Sequence, residues 1–195
     1  MPTIFNVSLV IDQLPITDEN LDRLFEVLPD AVPASIAGLV TVSAPIEATD
    51  AEVAAFALAE VITGAFPGAI AVRVDQDLVS IPDIAERADR SRESIRLLVE
   101  GKRGPGSFPS PVGTVGDGIR VWPWASVTEW FASILGHDIG ERGVPPEVAA
   151  VVDACLAARR RHLTHRARVE WTNARQIGVT VRAVDDGARP LSLVS

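Results

Sequence analysis

Two arginines, Arg92 and Arg96, lie one helical turn apart in a short segment that begins at Ser91, and Lys102 and Arg103 follow soon after it. Like charges at this spacing repel each other by roughly 0.2 to 0.5 kcal/mol in an isolated helix. The arrangement becomes favourable when an anion lies opposite both side chains. A nucleic-acid duplex is such an anion, and its base edges offer arginine specific hydrogen bonds. These residues therefore predict a face that binds nucleic acid.

The elements that must position these cations are two short helices joined by a tight turn. Ser80 and Asp83 form a capping box for the first helix, and Ser91 caps a second that starts at Arg92. Both helices carry apolar residues at helical spacing, at Ile84, Ala85, Ala88, Ile95, Leu98 and Val99. The small Ala85 permits the close backbone approach that two steeply crossing helices need. The pattern predicts a helix-turn-helix.

A hairpin and a further helix are predicted to follow. Gly101 ends the second helix, and residues 112–115 pair with residues 119–122 across Gly116-Asp117-Gly118. Ser126 and Glu129 then form a capping box for the next helix. Its buried stripe is predicted at Val127, Trp130, Phe131 and Ile134. The hairpin has the position of a wing beside the helix pair.

Residues 79–135 resemble the winged helix-turn-helix DNA-binding domains of the excisionase and MerR-like group. The resemblance rests on IAERADRSRESIRLLVEGKRGPG, on FPSPVG, on the hairpin and on VWPWASVTEWF, in that order. It implies that the helix starting at Arg92 enters the major groove, and that the core holds Trp122, Trp124, Trp130 and Phe131. The DNA-contacting residues would be Ser91, Arg92, Glu93, Ser94, Arg96, Lys102, Arg103 and Arg120.

The first 78 residues predict an α/β module. Strand patterns at residues 4–11, two short ones within 31–46 and one at 70–74 alternate with helices at 18–28 and 53–62. One face of the first helix is predicted to carry Leu21, Leu24, Phe25 and Leu28. Thr49 and Glu52 form the capping box of the second helix. This order is typical of a ferredoxin-like sandwich. No paired catalytic residues, phosphate loop or nucleophile motif interrupts it, so we expect an interaction or dimerisation module and not an enzyme.

The remaining chain predicts a linker, a helix and a loose end. Residues 136–143 have the glycines and charges of a linker, and Pro145 and Pro146 suit the start of a helical segment over residues 144–178. Its apolar stripe is Val148, Val151, Val152, Cys155 and Leu156, and a cationic run spans residues 159–168. We expect Trp171 to anchor this helix, a short strand at 179–184, and a loose tail at 185–195. The predicted fold class is α+β, with module 1–78 followed by a winged helix-turn-helix at 79–136.

Composition narrows the possible functions. The net charge of −8 is concentrated at the front: residues 1–79 hold 12 acidic and 2 basic side chains, whereas residues 80–133 hold 7 of each. A single cysteine and three histidines without ligand spacing predict no metal site, and no cofactor motif is visible. The absence of a secretory pattern or a long apolar run predicts a cytoplasmic protein without membrane association.

The sequence favours a sequence-specific double-stranded DNA-binding protein, and within that class a transcriptional regulator. One recognition helix reads about half a turn of groove, so two copies on half-sites about 34 to 36 Å apart predict a homodimer. The N-terminal module is the favoured dimer contact, because pairing the C-terminal stripes would bring two arginine clusters together. One alternative is an excisionase-like recombination or architectural factor. Another is an adaptor that binds proteins and not DNA.

Overall fold

A computed structural model describes residues 3–140 and 142–177 of the protein, with side chains through residue 161. The first of two compact units is Met1–Asp153, and the second begins at Ala154. Within the described residues, six helices and two antiparallel sheets form an α+β protein, as the sequence predicts. In that same part of the chain, none of the helices combines the length and apolar character needed to span a bilayer.

The first sheet has four antiparallel strands in the order β2-β3-β1-β4. Its strands are β1 (Thr3–Asp12), β2 (Val32–Ile36), β3 (Leu39–Ala48) and β4 (Ile70–Val74), and its helices are α1 (Asp18–Val27) and α2 (Ala51–Ala65). α2 packs on β1, β3 and β4. Val7, Leu9 and Val42 are fully buried, whereas Ser8 and Ser43 alternate with them and join their hydroxyls at 2.9 Å on the other face. All six predicted elements are present.

Two expectations about this module are wrong in detail. α2 begins at Ala51 and is capped by Asp50, whose Oδ1 accepts the Val53 N–H at 2.9 Å, and not by a Thr49 capping box. A carboxylate one residue later serves as well as the hydroxyl, and local sequence does not distinguish the two. Phe25, predicted on the inner face of α1, is 42% exposed.

The second sheet is three-stranded, in the order β5-β7-β6, and it is surrounded by short helices. In chain order these elements are β5 (Leu78–Val79), α3 (Ile81–Arg87), α4 (Arg92–Val99), β6 (Gly113–Val115), β7 (Ile119–Pro123) and α5 (Trp124–Leu135). The predicted helix pair and hairpin are confirmed. Between α3 and α4, Asp89 adopts a φ of +49°, and the Arg90 N–H donates to the Ala85 carbonyl at 2.8 Å. This left-handed position lets the chain reverse in four residues.

The predicted start of α5 is wrong. The helix begins at Trp124, directly after β7, so Ser126 lies within the helix and does not cap it. The Trp124 N–H donates to the Asp77 carbonyl at 2.8 Å, which satisfies one free donor of the first turn without a side-chain cap. Ile134, predicted as part of the buried stripe, is 45% exposed because the core ends at Trp130 and Phe131.

Aromatic side chains form the centre of this second core. Trp122 and Phe131 are fully buried, and Trp124 and Trp130 nearly so, as predicted. Phe108, from the loop after α4, packs on Trp130 with ring centroids 4.9 Å apart. The indole N–H groups of Trp122 and Trp130 donate to the carbonyls of Pro109 and Gly106 at 2.9 and 3.1 Å. The loop is thereby attached to the core by both stacking and hydrogen bonds.

The predicted linker and C-terminal stripe need correction. The Arg142 carbonyl accepts the Asn6 N–H at 2.8 Å, so residues 136–143 are attached to β1 and do not form a free linker. The helix α6 (Pro146–Ile177) is present, but up to residue 161 its buried residues are Ala149, Val152 and Leu156, whereas Val151 and Cys155 are exposed. The side chains of residues 162–168 and Trp171, the strand at 179–184 and the tail at 185–195 lie outside the described residues.

Trp130 provides a test of the aromatic core. Trp130→Ala removes a buried indole and its hydrogen bond to Gly106, so we expect a loss of about 3 to 5 kcal/mol in the free energy of unfolding, measured by urea denaturation. Ile134→Ala, on the exposed side of the same helix, is the matched control and should cost much less. Equal losses for the two variants would contradict this assignment of the core.

Candidate nucleic-acid interface

The helix α4 presents one face to solvent because its other face is held in the aromatic core. Ile95 is fully buried and Leu98 nearly so, while Ser91, Arg92 and Arg96 are exposed. The Ser91 hydroxyl accepts the Ser94 N–H at 3.1 Å, which confirms the predicted cap. Ser94 itself is half-buried. The first turn of α4 therefore offers a charged guanidinium and free backbone donors to an approaching anion.

The end of α4 is shaped by two glycines. At Gly101 (φ +66°) the chain leaves the helix, and the Lys102 N–H donates back to the Leu97 carbonyl at 2.9 Å. Gly104 also has a positive φ, and a Cβ there would lie 2.8 Å from the Leu98 side chain. Any larger residue at Gly104 would be strained and would displace a core leucine. This tight path places Lys102 and Arg103 in solvent, just beyond the helix.

Arg96 is held between two glutamates. Its Nε and Nη2 donate to the two carboxylate oxygens of Glu93 at 2.8 and 2.6 Å, and its Nη1 donates to Glu100 Oε1 at 2.8 Å. Glu100 also pairs with Lys102 at 2.8 Å. These hydrogen bonds, chiefly the one from Glu93, raise the pKa of Arg96, and the Arg96 hydrogen bond lowers the pKa of Glu93. Three of the five N–H donors of the Arg96 guanidinium therefore face carboxylates, and two remain for other partners.

This pairing removes the repulsion inferred from the Arg92 and Arg96 spacing. Favourable charge pairs at i,i+3 and i,i+4 offset it within α4 itself, so no external anion is needed to explain Arg96. The acidic neighbours of the two arginines were left out of the expectation from spacing.

Within the described residues, Arg92 and Arg103 form no ion pair. Arg120, on β7, lies over the Trp122 ring at 5.5 Å.

Two residues that were missed from the sequence, Arg87 and Asp77, anchor α3 to its surroundings. Arg87 forms an ion pair with Asp77, just before β5, and its guanidinium lies 5.2 Å from the centroid of the Trp124 ring. Asp77 also accepts the Trp124 N–H through its backbone carbonyl. The sequence signal for Arg87 was its position in the last turn of α3, where a positive charge interacts favourably with the helix dipole. Its partner lies ten residues earlier, beyond the reach of helical spacing.

The chain was also compared with known proteins. No protein family, curated protein or solved structure matched it. In the described part of the chain, no group of three or more His, Cys, Asp and Glu side chains is arranged to hold a metal ion.

Asp83 links the stability of α3 to pH. Its Oδ2 accepts the Ser80 hydroxyl at 2.6 Å and the Ser80 N–H at 2.8 Å, and these bonds hold its pKa below the ordinary value of 3.8. A carboxyl whose pKa is lowered by folding stabilises the protein above its unfolded pKa, and the effect disappears as pH falls through the folded pKa.

We therefore expect Asp83→Asn to lower the free energy of unfolding by about 0.3 to 1 kcal/mol at pH 7, because the amide keeps an acceptor for Ser80 but loses the negative charge at the helix N-terminus. The difference from the wild type should shrink as pH falls below about 4, because the wild-type carboxyl then becomes protonated. Urea denaturation across this pH range measures it. Asp22→Asn, at an exposed position of α1, is the control, and a deficit for Asp83→Asn that stays constant with pH would contradict the assignment.

Proposed function

We propose that the protein binds double-stranded DNA sequence-specifically, as a transcriptional regulator, through α4 and the β6–β7 hairpin. The observation that carries the proposal is the placement of Arg92. It lies in the first turn of a capped helix whose opposite side is anchored by Ile95 and Leu98, and it has no ion-pair partner among the described residues. A rigid, exposed N-terminal turn is the part of a recognition helix that contacts base edges.

The order and packing of the elements support this proposal. α3 and α4 pack on each other, and α4 is followed by a hairpin whose second strand also pairs with β5. Those are the parts of a winged helix-turn-helix. The strand order β4-β1-β3-β2, with α2 packed on the sheet and α1 against α2, likewise supports a ferredoxin-like module before it. Fold alone does not identify a function, so the exposed side chains carry the rest of the argument.

Each exposed polar residue has a role that suits its position. Arg92 addresses guanine O6 and N7, and Glu93 is placed to accept from a cytosine amino group. Ser91 and the amides of the first turn hold a phosphate. Lys102, Arg103 and Arg120 contact the DNA backbone beside the helix and along the hairpin. We assign Arg96 the role of positioning and neutralising Glu93, because it must give up its bonds to Glu93 and Glu100 before it contacts a base.

A protein-binding adaptor is the second candidate, and the pairing of Arg96 favours it. The exposed charges of Glu93, Arg96, Glu100 and Lys102 compensate each other. A surface without excess positive charge is suited to binding a protein. A recombination or architectural factor shares the DNA-binding surface and differs in bending its site.

Selection of bound fragments from a random double-stranded DNA library, using the full-length protein, distinguishes these candidates. An enriched motif with two half-sites supports the regulator. A motif whose DNA is strongly bent in the complex supports the architectural factor. No enrichment at low salt, where phosphate contacts are strongest, would contradict DNA binding and favour the adaptor.

The selected site then allows the role of Arg92 to be measured. Arg92→Ala should cost about 1 to 3 kcal/mol on the specific site and relax discrimination at one base pair, because a bidentate contact is lost. Arg96→Ala should instead weaken specific and random DNA alike, because it leaves the Glu93 carboxylate without its cation near phosphates. Arg23→Ala, on α1, is the control. Equal losses on specific and random DNA for Arg92→Ala would contradict the assignment.

The N-terminal module supplies the contact of the proposed homodimer. β2 lies at the edge of its sheet and exposes two apolar side chains, Val32 at 64% and Ile36 at 74%. An exposed edge strand with apolar residues favours pairing with another strand. The competing C-terminal stripe is less suited, because Val152 is already buried within the first compact unit.

Ile36→Lys tests this contact. A charge on the apolar edge should convert the dimer to a monomer in sedimentation experiments and remove the preference for a whole site over a half-site. Val53→Lys, at a 49% exposed position of α2, introduces the same charge elsewhere and should leave the dimer intact. If Ile36→Lys remains dimeric at wild-type concentrations, the contact lies on another surface.

A further inference from the structure

A cavity of about 330 Å³ lies within the first compact unit, where the sheet meets the start of α5. On one side are Ser8 of β1 and Thr41 and Ser43 of β3, on the sheet face opposite the buried Val42. On the other side are Trp124 and Ala125, with Gly143 and Val144 beyond them. Its volume lies at the lower end of the range for small-molecule sites, about 300 to 1,000 Å³, so it suits a compact ligand.

The lining is rich in oxygen acceptors and contains no cationic side chain. Asp75 and Asp77 both contribute to it, whereas no Lys, Arg or His does. Asp75 uses one carboxylate oxygen to pair with Arg73 at 3.1 Å, in an exposed geometry where such pairs are weak. Among the described residues, the side chains of Gln76 and Thr41 make no hydrogen bond. Several polar groups around one cavity are thus available to a ligand.

We infer that this cavity binds a small organic cation, carrying an amine or a guanidinium, that donates N–H groups to Asp75 and to the neighbouring side-chain oxygens. Charged hydrogen bonds to a carboxylate are stronger than neutral ones. An anion would meet the carboxylates of Asp75 and Asp77, each of which is paired with an arginine that does not itself line the cavity. A wholly apolar ligand would leave Gln76 and Thr41 unsatisfied.

The cavity is also connected to the proposed DNA-binding helices. Asp77 lines it, pairs with Arg87 at the end of α3, and accepts the Trp124 N–H at the start of α5. A cation beside Asp77 competes with Arg87 for the same carboxylate. Ligand binding should therefore alter the end of α3. This inference does not depend on the proposed function, because binding to the cavity is measured without DNA.

The experiment is a titration of the full-length, ¹⁵N-labelled protein with agmatine, which carries both an amine and a guanidinium, followed by NMR. 1,4-Butanediol and succinate are the neutral and anionic controls at equal ionic strength. Agmatine should give saturable shifts at residues 41, 43, 75–77 and 124, with a Kd between about 1 μM and 1 mM. The shifts should extend to Arg87, and the controls should give none.

Three variants make the result specific to this cavity. Asp75→Asn keeps the shape and removes one charge, so it should weaken agmatine binding by about tenfold or more. Thr41→Phe fills the cavity without changing charge and should abolish binding, while Asp22→Asn, on α1, should leave it unchanged. Four results would each overturn the inference. They are equal binding of butanediol, an unchanged Kd for agmatine in Asp75→Asn, shifts spread over the acidic residues of α1, and no saturable shift with agmatine. Shifts that stop short of Arg87 would overturn the connection to α3.

Discussion

The candidate interface depends on the burial of four aromatic rings behind two short helices. α3 has 7 residues and α4 has 8, and isolated helices of that length are not stable in water. Ile84 and Ile95 attach them to the cluster of Trp122, Trp130 and Phe131, and Phe108 closes it from the loop side. Because Trp122 and Trp130 also hold that loop by hydrogen bonds, the same rings that stabilise α4 determine where Lys102 and Arg103 lie.

Charge compensation on α4 changes what its exposed face is able to do. A guanidinium that already donates to two carboxylates must give up those bonds before it contacts a base, and the carboxylates would then face phosphates. The net charge of the segment is therefore less informative than the pairing within it. Arg92 differs from Arg96 because it forms no ion pair among the described residues and interacts with the Asp83 carboxylate only at longer range, and the two arginines have different proposed roles for that reason.

The junction around Asp77 joins the two parts of the first compact unit. Its backbone carbonyl accepts the first N–H of α5, and its carboxylate holds the last turn of α3. The same residue lines the cavity beside the sheet. A ligand in the cavity would therefore compete for a side chain that also holds α3. Coupling between two sites requires a shared contact of this kind.

Local sequence determined the elements of this protein well. Apolar spacing and cap residues predicted α3, α4, the hairpin and the sheet strands near their observed bounds, because caps and periodicity act over a few residues. The prediction of helix starts failed in two places. At α2, Thr49 and Asp50 are both suitable caps, and at α5 the distant Asp77 carbonyl accepts the Trp124 N–H in place of a side-chain cap. The burial of Ile134 and Val151 was also mistaken, since an apolar stripe does not reveal how far its neighbour extends.

The pairing of Arg96 was also within reach of the sequence, because Glu93 and Glu100 lie at i,i+3 and i,i+4 spacing from it. Only the tertiary structure decided the contacts between residues that are distant in the chain. The ion pair of Arg87 with Asp77, and the cavity bounded by Ser43, Asp75 and Trp124, bring together residues far apart in the chain. Such contacts depend on how the sheet and the helices pack, and packing is a property of the whole core that no short window of sequence contains.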